Sequence, residues 1–177
     1  WENWWNISHW GHKTGYAYQR MRAAGDHLAI YEEAVAWHSS FRRTVSEAVM
    51  DRFYRPLSFT YRSVEGNQVV ESEGHWNGTK VHVEQRLAGD TVITEIDVPP
   101  DAVLPEAILL KLAAKGRLQA GRRDTQTVFD YGSLTTRRLY LSCAALPKTQ
   151  EDAVVEVQMR YDDNEVFEDL VIVAWVD

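Results

Sequence analysis

The sequence predicts a mainly β protein: a long, curved antiparallel meander, or half-barrel, wrapped around one central helix at about residues 104–115. Three observations carry this. Turn dipeptides recur at Gly25-Asp26, Gly66-Asn67, Asn77-Gly78 and Gly89-Asp90, with weaker breaks near Gly11-His12, His38-Ser39-Ser40 and residues 51–56. Such regular turn spacing marks consecutive hairpins. Between the turns, apolar and polar residues alternate as in half-buried strands. One stretch, DAVLPEAILLKLAAKG at 101–116, breaks the alternation and is apolar almost all round.

The chain opens with an aromatic-dense segment, Trp1, Trp4, Trp5 and Trp10, followed by Tyr16 and Tyr18. Alternation places Tyr16, Tyr18 and Arg20 on one face of a strand. These rings either complete the core or line an opening for an apolar or carbohydrate ligand.

The middle of the chain fixes a sheet by its turns. Asn77-Gly78 favours a type I′ hairpin turn, since both positions want positive φ. That pairs Trp76 with Thr79, Gly74 with Val81 and Glu73 with His82. A two-residue turn at Gly89-Asp90 pairs Val83 with Ile96 and Val81 with Val98. A turn at Gly66-Asn67 pairs Tyr61 with Ser72 and Phe59 with Gly74, where the ring can cover the strand glycine. All three registers sort the side chains alike. One face carries Leu57, Phe59, Tyr61, Val70, Trp76, Val81, Val83, Leu87, Val92, Ile96 and Val98. The other carries Arg62, Glu71, Glu73, His75, Lys80, His82, Glu84, Glu95 and Asp97.

The helix follows. Pro105 suits the first helical position, where its missing N–H costs nothing. Glu106 complements the positive end of the helix dipole and Lys115 the negative end. Gly116 can adopt the left-handed conformation that ends a helix. Lys111 and Lys115 mark the wet stripe, so the rest needs cover, and the apolar sheet face supplies it. Beyond the helix, residues 127–130, 138–144, Ala153–Tyr161 and Leu170–Val176 read as further strands, with a turn at Asp162-Asp163-Asn164. The last strand is apolar without alternation, which predicts cover on both faces.

The totals limit the function. A chain of 177 residues is expected to form a single β-rich domain (1–177) able to fold without metal or disulfide. It starts at Trp1 and ends in strand-like sequence, as expected of a segment of a longer secreted protein. The net charge of -7 argues against a nucleic-acid partner. The longest apolar run falls far short of the roughly 20 residues that span a bilayer, so no transmembrane segment is expected. No cofactor motif is legible, and no glycine-rich phosphate loop leads into the helix.

With these elements placed, the chain resembles the β-rich region that precedes the catalytic core in secreted bacterial transglutaminase-like proteins. The residues that carry the likeness are Trp5-Asn6-Ile7, Gly11-His12-Lys13-Thr14-Gly15-Tyr16, Pro56-Leu57-Ser58-Phe59, Leu104-Pro105-Glu106-Ala107 with its leucine-rich helix, Val128-Phe129-Asp130, and the final Ala174-Trp175-Val176-Asp177. Such regions are similar in architecture to the periplasmic lipoprotein carriers of the LolA-like fold. The resemblance implies an extracytoplasmic (periplasmic or secreted) location and no intrinsic catalysis. The charged, tryptophan-rich start departs from the family pattern, as does the lack of a visible catalytic core.

Cys143 is the sole thiol, and all six histidines precede it, the reverse of the transglutaminase order. Its setting, Leu141-Ser142-Cys143-Ala144, reads as a buried structural strand. No residue is expected to be catalytic. Glu73, His82 and Asp97, with His75 diagonal to them, form the sharpest polar group and could hold a metal. The same residues also suit a solvated, ion-paired outer face. His9-Trp10-Gly11-His12 would need further ligands to bind a metal. If space remains beside the helix, Leu109 and Leu112 with Phe59, Tyr61 and Trp76 would line an apolar hollow.

The expected function is a non-enzymatic extracytoplasmic binding or scaffold domain. Its partner would be an apolar ligand, an acyl chain or an adjacent domain of the parent protein. The alternatives are a carrier of lipid or lipoprotein acyl chains, and a metal-dependent hydrolase built on Glu73, His75, His82 and Asp97.

Overall fold

The computed structural model describes residues 2–9, 12–37, 40–145, 153–161 and 170–176. Eight strands run in chain order: β1 (Glu2–His9), β2 (His12–Ala24), β3 (His27–Trp37), β4 (Phe41–Asp51), β5 (Pro56–Glu65), β6 (Gln68–Asn77), β7 (Lys80–Leu87) and β8 (Asp90–Asp97). Each pairs antiparallel with the next, giving an eight-stranded meander. A 3-10 turn at Pro105–Ala107 leads into the short helix α1 (Ile108–Ala114). Four further strands, β9 (Arg123–Asp130), β10 (Thr135–Ala145), β11 (Ala153–Tyr161) and β12 (Leu170–Val176), make a second antiparallel meander.

The mainly antiparallel β architecture with one helix is as the sequence predicts, but the sheet is divided. The segment between β8 and β9 takes the place that a continuous ladder would need. Val103 bridges in parallel to Val128, with its N–H donating to the Thr127 carbonyl at 2.9 Å and its carbonyl accepting from Phe129 N–H at 3.0 Å. The edge of β9 next to the large sheet is therefore occupied by the connection itself.

Two registers differ from those the turn dipeptides predict. The β6–β7 turn is Gly78-Thr79, flanked by the pair Asn77–Lys80, so Trp76 faces Val81 and Gly74 faces Val83. Gly78 has φ 68 and Thr79 is not left-handed, which suits a turn with glycine first, unlike the type I′ turn expected at Asn77-Gly78. The β7–β8 turn is Ala88-Gly89, both left-handed at φ 53 and 93, so Val81 faces Ile96 and Val83 faces Thr94. Each register moves by two residues, an even number, so every side chain keeps its face. The β5–β6 register matches: Phe59 pairs with Gly74 and Tyr61 with Ser72.

Among the described residues, two apolar clusters fill the interior. In the first, Ile30, Ala48, Met50, Phe59, Val81 and Val83 of the large sheet pack on Leu104, Ala107, Phe129 and Tyr131. In the second, Ile108 and Leu112 of the helix pack with Val128, Leu139, Leu141, Cys143, Val157 and Met159 of the small sheet. The helix segment is thus the filling between the two sheets. Burial of each large side chain contributes roughly 1.5–3 kcal/mol. The helix ends where Gly116, φ 62, turns left-handed: its N–H donates to the Ala113 carbonyl at 2.8 Å, and Arg117 N–H to the Leu112 carbonyl at 2.8 Å. This is a Schellman cap, which satisfies carbonyls the last turn would leave bare. Ala113 and Ala114 are exposed beside Lys115, so the wet stripe is broader than the lysines alone imply.

Leu87 and Val92 lie on the core-facing side in register but remain exposed, at 49% and 55%. They sit at the far end of the edge hairpin, beyond the helix's cover.

Candidate functional site

The core-facing side of the large sheet is not wholly apolar. One row of paired residues crosses it from β2 to β7: Gln19, Glu32, Ser46, Tyr61, Ser72 and Gln85. Gln19 Nε2 donates to Glu32 at 3.0 Å, and Gln85 Nε2 donates to Ser72 Oγ at 3.2 Å. Burial raises the Glu32 carboxyl above its ordinary range, and the Gln19 bond opposes that rise.

Glu106 descends onto this row from the 3-10 turn. It is buried, so the dipole role expected of its charge is opposed by the cost of taking that charge out of water. Its Oε1 accepts from Ser46 Oγ at 2.8 Å and from the Tyr131 hydroxyl. Its Oε2 is buried without a partner. Desolvation pushes the carboxyl up to about 8, and the negative charge of Glu32 adds to the rise. Removing a carboxylate from water costs too much for it to stay ionised unless a cation or several donors compensate. Burial at this position therefore favours the neutral acid over the carboxylate.

The residues expected to line one apolar hollow are divided between the clusters. Phe59, Tyr61 and Trp76 belong to the large-sheet cluster. Their rings stack and tilt against Phe129 and Tyr131, with the Phe59 and Tyr131 centroids 5.1 Å apart and those of Trp76 and Phe129 5.3 Å apart. Leu109 and Leu112 belong to the small-sheet cluster. The helix segment stands between the two sets.

The outer face of the large sheet holds the polar group read from the sequence. His75 faces His82 directly, and His82 faces Glu95, while Asp97 pairs with Lys80. The expected row of Glu73, His82 and Asp97 is thereby replaced, because the two registers moved. Glu73 and His75 meet at 3.1 Å, both largely exposed. Lys80 binds Glu95, which lowers the Glu95 carboxyl and raises the Lys80 amine. Among the described residues no group of three His, Cys, Asp or Glu is placed to hold a metal. In the His9-Trp10-Gly11-His12 motif, Trp10 and Gly11 lie outside the described residues, as do Trp1 and the expected turn at Asp162-Asp163-Asn164. Cys143 is buried, and desolvation raises its thiol above the ordinary range.

Beside that polar group lies a groove of about 440 Å³, walled by Tyr31, Arg43, Val45, Thr60, Arg62, Glu71, Glu73, Glu84 and Arg86 among others. Its charges are paired: Arg62 with Glu71 at 3.0 Å, Arg86 with Glu84 at 2.7 Å, and Arg43 with the neighbouring Glu33 at 2.9 Å. Tyr31 donates to Glu33 at 3.2 Å, and burial with that carboxylate raises the phenol.

Tyr31, Trp37 and Phe41, which no sequence pattern singles out, join Trp4, Tyr16 and Tyr18 of the aromatic start. Tyr31 continues into a line of rings on the same face. Tyr18 lies 6.2 Å from Tyr31 and 4.6 Å from Trp4; Tyr16 lies 5.9 Å from Trp4 and 6.2 Å from Trp37; Trp37 lies 5.9 Å from Phe41. Trp4, Trp37 and Phe41 are 64%, 47% and 48% exposed. Tyr16, Tyr18 and Arg20 do share a face, as alternation requires, but it is the face turned away from the helix.

No known family's sequence profile matches the chain, and no curated protein sequence matches it. Among solved structures, it is similar to a β-barrel-like protein of domain of unknown function DUF1849 from Brucella abortus. The TM-score is 0.57, with 12% identity, covering 89% of this chain and 73% of that one. A DUF1089 family protein from Pseudomonas aeruginosa aligns at TM-score 0.48 with 11% identity, covering 91% of this chain and 84% of that one. The Brucella likeness is one of fold: a β-barrel-like architecture. No helix among the described residues is long and apolar enough to cross a membrane.

Proposed function

We propose that this chain is a non-enzymatic binding or scaffold domain working outside the cytoplasm, and that it docks a polypeptide partner on the outer face of its large sheet. The observation that carries this is the ring line of Trp4, Tyr18, Tyr16, Trp37 and Phe41, three members of it well exposed, running beside a rim of paired Arg and Glu side chains. Protein interfaces have an aromatic centre within a polar rim, and Trp, Tyr and Arg dominate their hot spots. Because the rim charges are already paired, they confer register more than long-range attraction. The extracytoplasmic setting rests on the resemblance to secreted transglutaminase-like proteins and LolA-like carriers.

The test is site-directed photo-crosslinking in cells, with the crosslinker at Phe41 and, as a control, at Val92, which is 55% exposed on the opposite, core-facing side of β8. One identified polypeptide captured from position 41, absent from 92 and lost in Trp37→Ala, supports the reading. Capture of a second copy of this chain, equal capture from both positions, or no capture at all overturns it.

An acyl-chain carrier would need the two apolar clusters to part around the helix segment. Organic extraction and mass spectrometry of the purified protein would show a stoichiometric lipid if that were its role.

A further inference from the structure

Glu106 is a buried acid with no part in the outer-face reading. Its surroundings set its behaviour. From β4, Ser46 donates to Oε1; from the turn after β9, Tyr131 donates to the same oxygen. Oε2 is enclosed and bare, the natural seat for a proton. The charged groups that face it are Glu32 from β3 and Asp130 at the end of β9, both acids. Leu104, two residues before it, and Ala107, just after it, are apolar and fully buried. Glu106 therefore links three parts of the fold, namely the helix start, the large sheet and the first turn of the small sheet, in a site where burial and the two acidic neighbours outweigh the hydrogen bonds that favour the carboxylate.

We propose that Glu106 is a protonation-gated pin: as the neutral acid it fastens the helix segment to both sheets, and loss of its proton opens that joint before the rest of the fold. The sign follows from linkage. Once the joint opens, water restores the ordinary carboxyl value of 4.5, whereas closed it lies at about 8. The closed joint holds the proton more tightly, so closure is fully favoured below the ordinary carboxyl range. It weakens as pH climbs toward about 8, then levels off. Between those limits the opening equilibrium should rise roughly tenfold per pH unit.

Hydrogen exchange of the full chain reads this directly. The joint amides are Val103, Ala107 and Phe129, which donate to Thr127, Leu104 and Val103. Amides within the β5–β6 hairpin serve as reference. Protection factors, corrected for base-catalysed intrinsic exchange, should fall about tenfold per pH unit at the joint while the hairpin amides fall less. In Glu106→Gln the joint should lose that pH slope. Tyr131→Phe should keep the slope but lower joint protection at every pH. Glu32→Gln removes the acidic neighbour and should end the fall at a lower pH. A protonated-carboxyl stretch in the infrared difference spectrum at pH 6, present in wild type and absent in Glu106→Gln, would support the neutral state independently. Parallel pH curves for wild type and Glu106→Gln, or joint and hairpin amides falling in step, would overturn the proposal.

Discussion

Replacing Gly74 with alanine tests the large-sheet core at a single atom. In an ordinary strand this change stabilises by roughly 0.5–1 kcal/mol, because alanine loses less backbone freedom on folding. Here the sign should reverse. A Cβ at position 74 would lie 2.1 Å from Phe59 Cε1, 2.6 Å from Cζ and 2.8 Å from Cδ1, where ordinary contact begins near 3.4 Å. The ring must retreat by about 1 Å, and it has little room to do so. Trp76, Phe129 and Tyr131 surround it at centroid distances of 5.8, 6.0 and 5.1 Å. Overpacking of this kind costs about 1–3 kcal/mol, and each disturbed ring pair adds up to about 1 kcal/mol. A net loss of about 1–3 kcal/mol is expected in urea denaturation, with an unchanged m-value. The double variant Phe59→Leu with Gly74→Ala should lose less than the sum of the single changes, by at least about 1 kcal/mol, since the smaller side chain removes the clash. If Gly74→Ala is as stable as wild type, or if the two changes simply add, Phe59 does not cover Gly74 and the register around it is wrong.

Three further outcomes can be measured. Leu112→Asp places an unpaired carboxylate between the helix and the small sheet, where Leu112 is 2% exposed. The lost burial and the stranded charge together exceed about 4 kcal/mol, so circular dichroism and near-ultraviolet signals should show a largely unfolded chain; a native spectrum would displace the helix from the core. Gly116→Ala forces a side chain into the left-handed region at φ 62 in otherwise open space, and should cost about 1 kcal/mol from backbone strain alone. In global unfolding, the raised Glu106 carboxyl contributes stability that is fully present below the ordinary value of 4.5 and is lost as pH rises to about 8, while the lowered carboxyls of Asp51, Glu65, Glu95 and Asp124 contribute in the opposite direction. The slope should approach ~1.4 kcal/mol per pH unit where the unfolded acid is ionised and the folded one is not. Glu106→Gln should remove that component, seen as a stability difference that grows with pH; any fixed cost of the amide leaves the slope untouched.

The ion pairs of the outer face should matter little to stability. Arg62–Glu71 and Lys80–Glu95 are about half exposed, and exposed pairs contribute roughly 0–1 kcal/mol. Their place beside the groove is therefore better judged by binding than by melting.

The strands of the small sheet show how far local pattern reaches. Residues Ala153–Tyr161 and Leu170–Val176 were legible to the residue, because apolar runs bounded by turn residues leave little choice. The outer polar row was legible in kind but not in detail. Its members Glu73, His75 and His82 share a face as read, yet the row of direct neighbours is His75, His82 and Glu95. Period-two alternation cannot distinguish registers that differ by two residues, and turn geometry made that choice. The aromatic start was noticed as a composition, but whether it faced the core or water depended on which side of the sheet the helix took.

Alternation and turn chemistry by themselves determined that this chain forms antiparallel hairpins, which residues share a face, and that 104–115 supplies a buried helix, since each rests on neighbours within a few positions. Only the tertiary structure decided that the strands separate into two sheets with the helix segment between them, because that depends on which edge the 99–122 connection occupies. It also decided the setting of Glu106: a glutamate at a helix start is ordinary in sequence, and its carboxyl is buried and raised only when β3, β4 and the turn after β9 close around it.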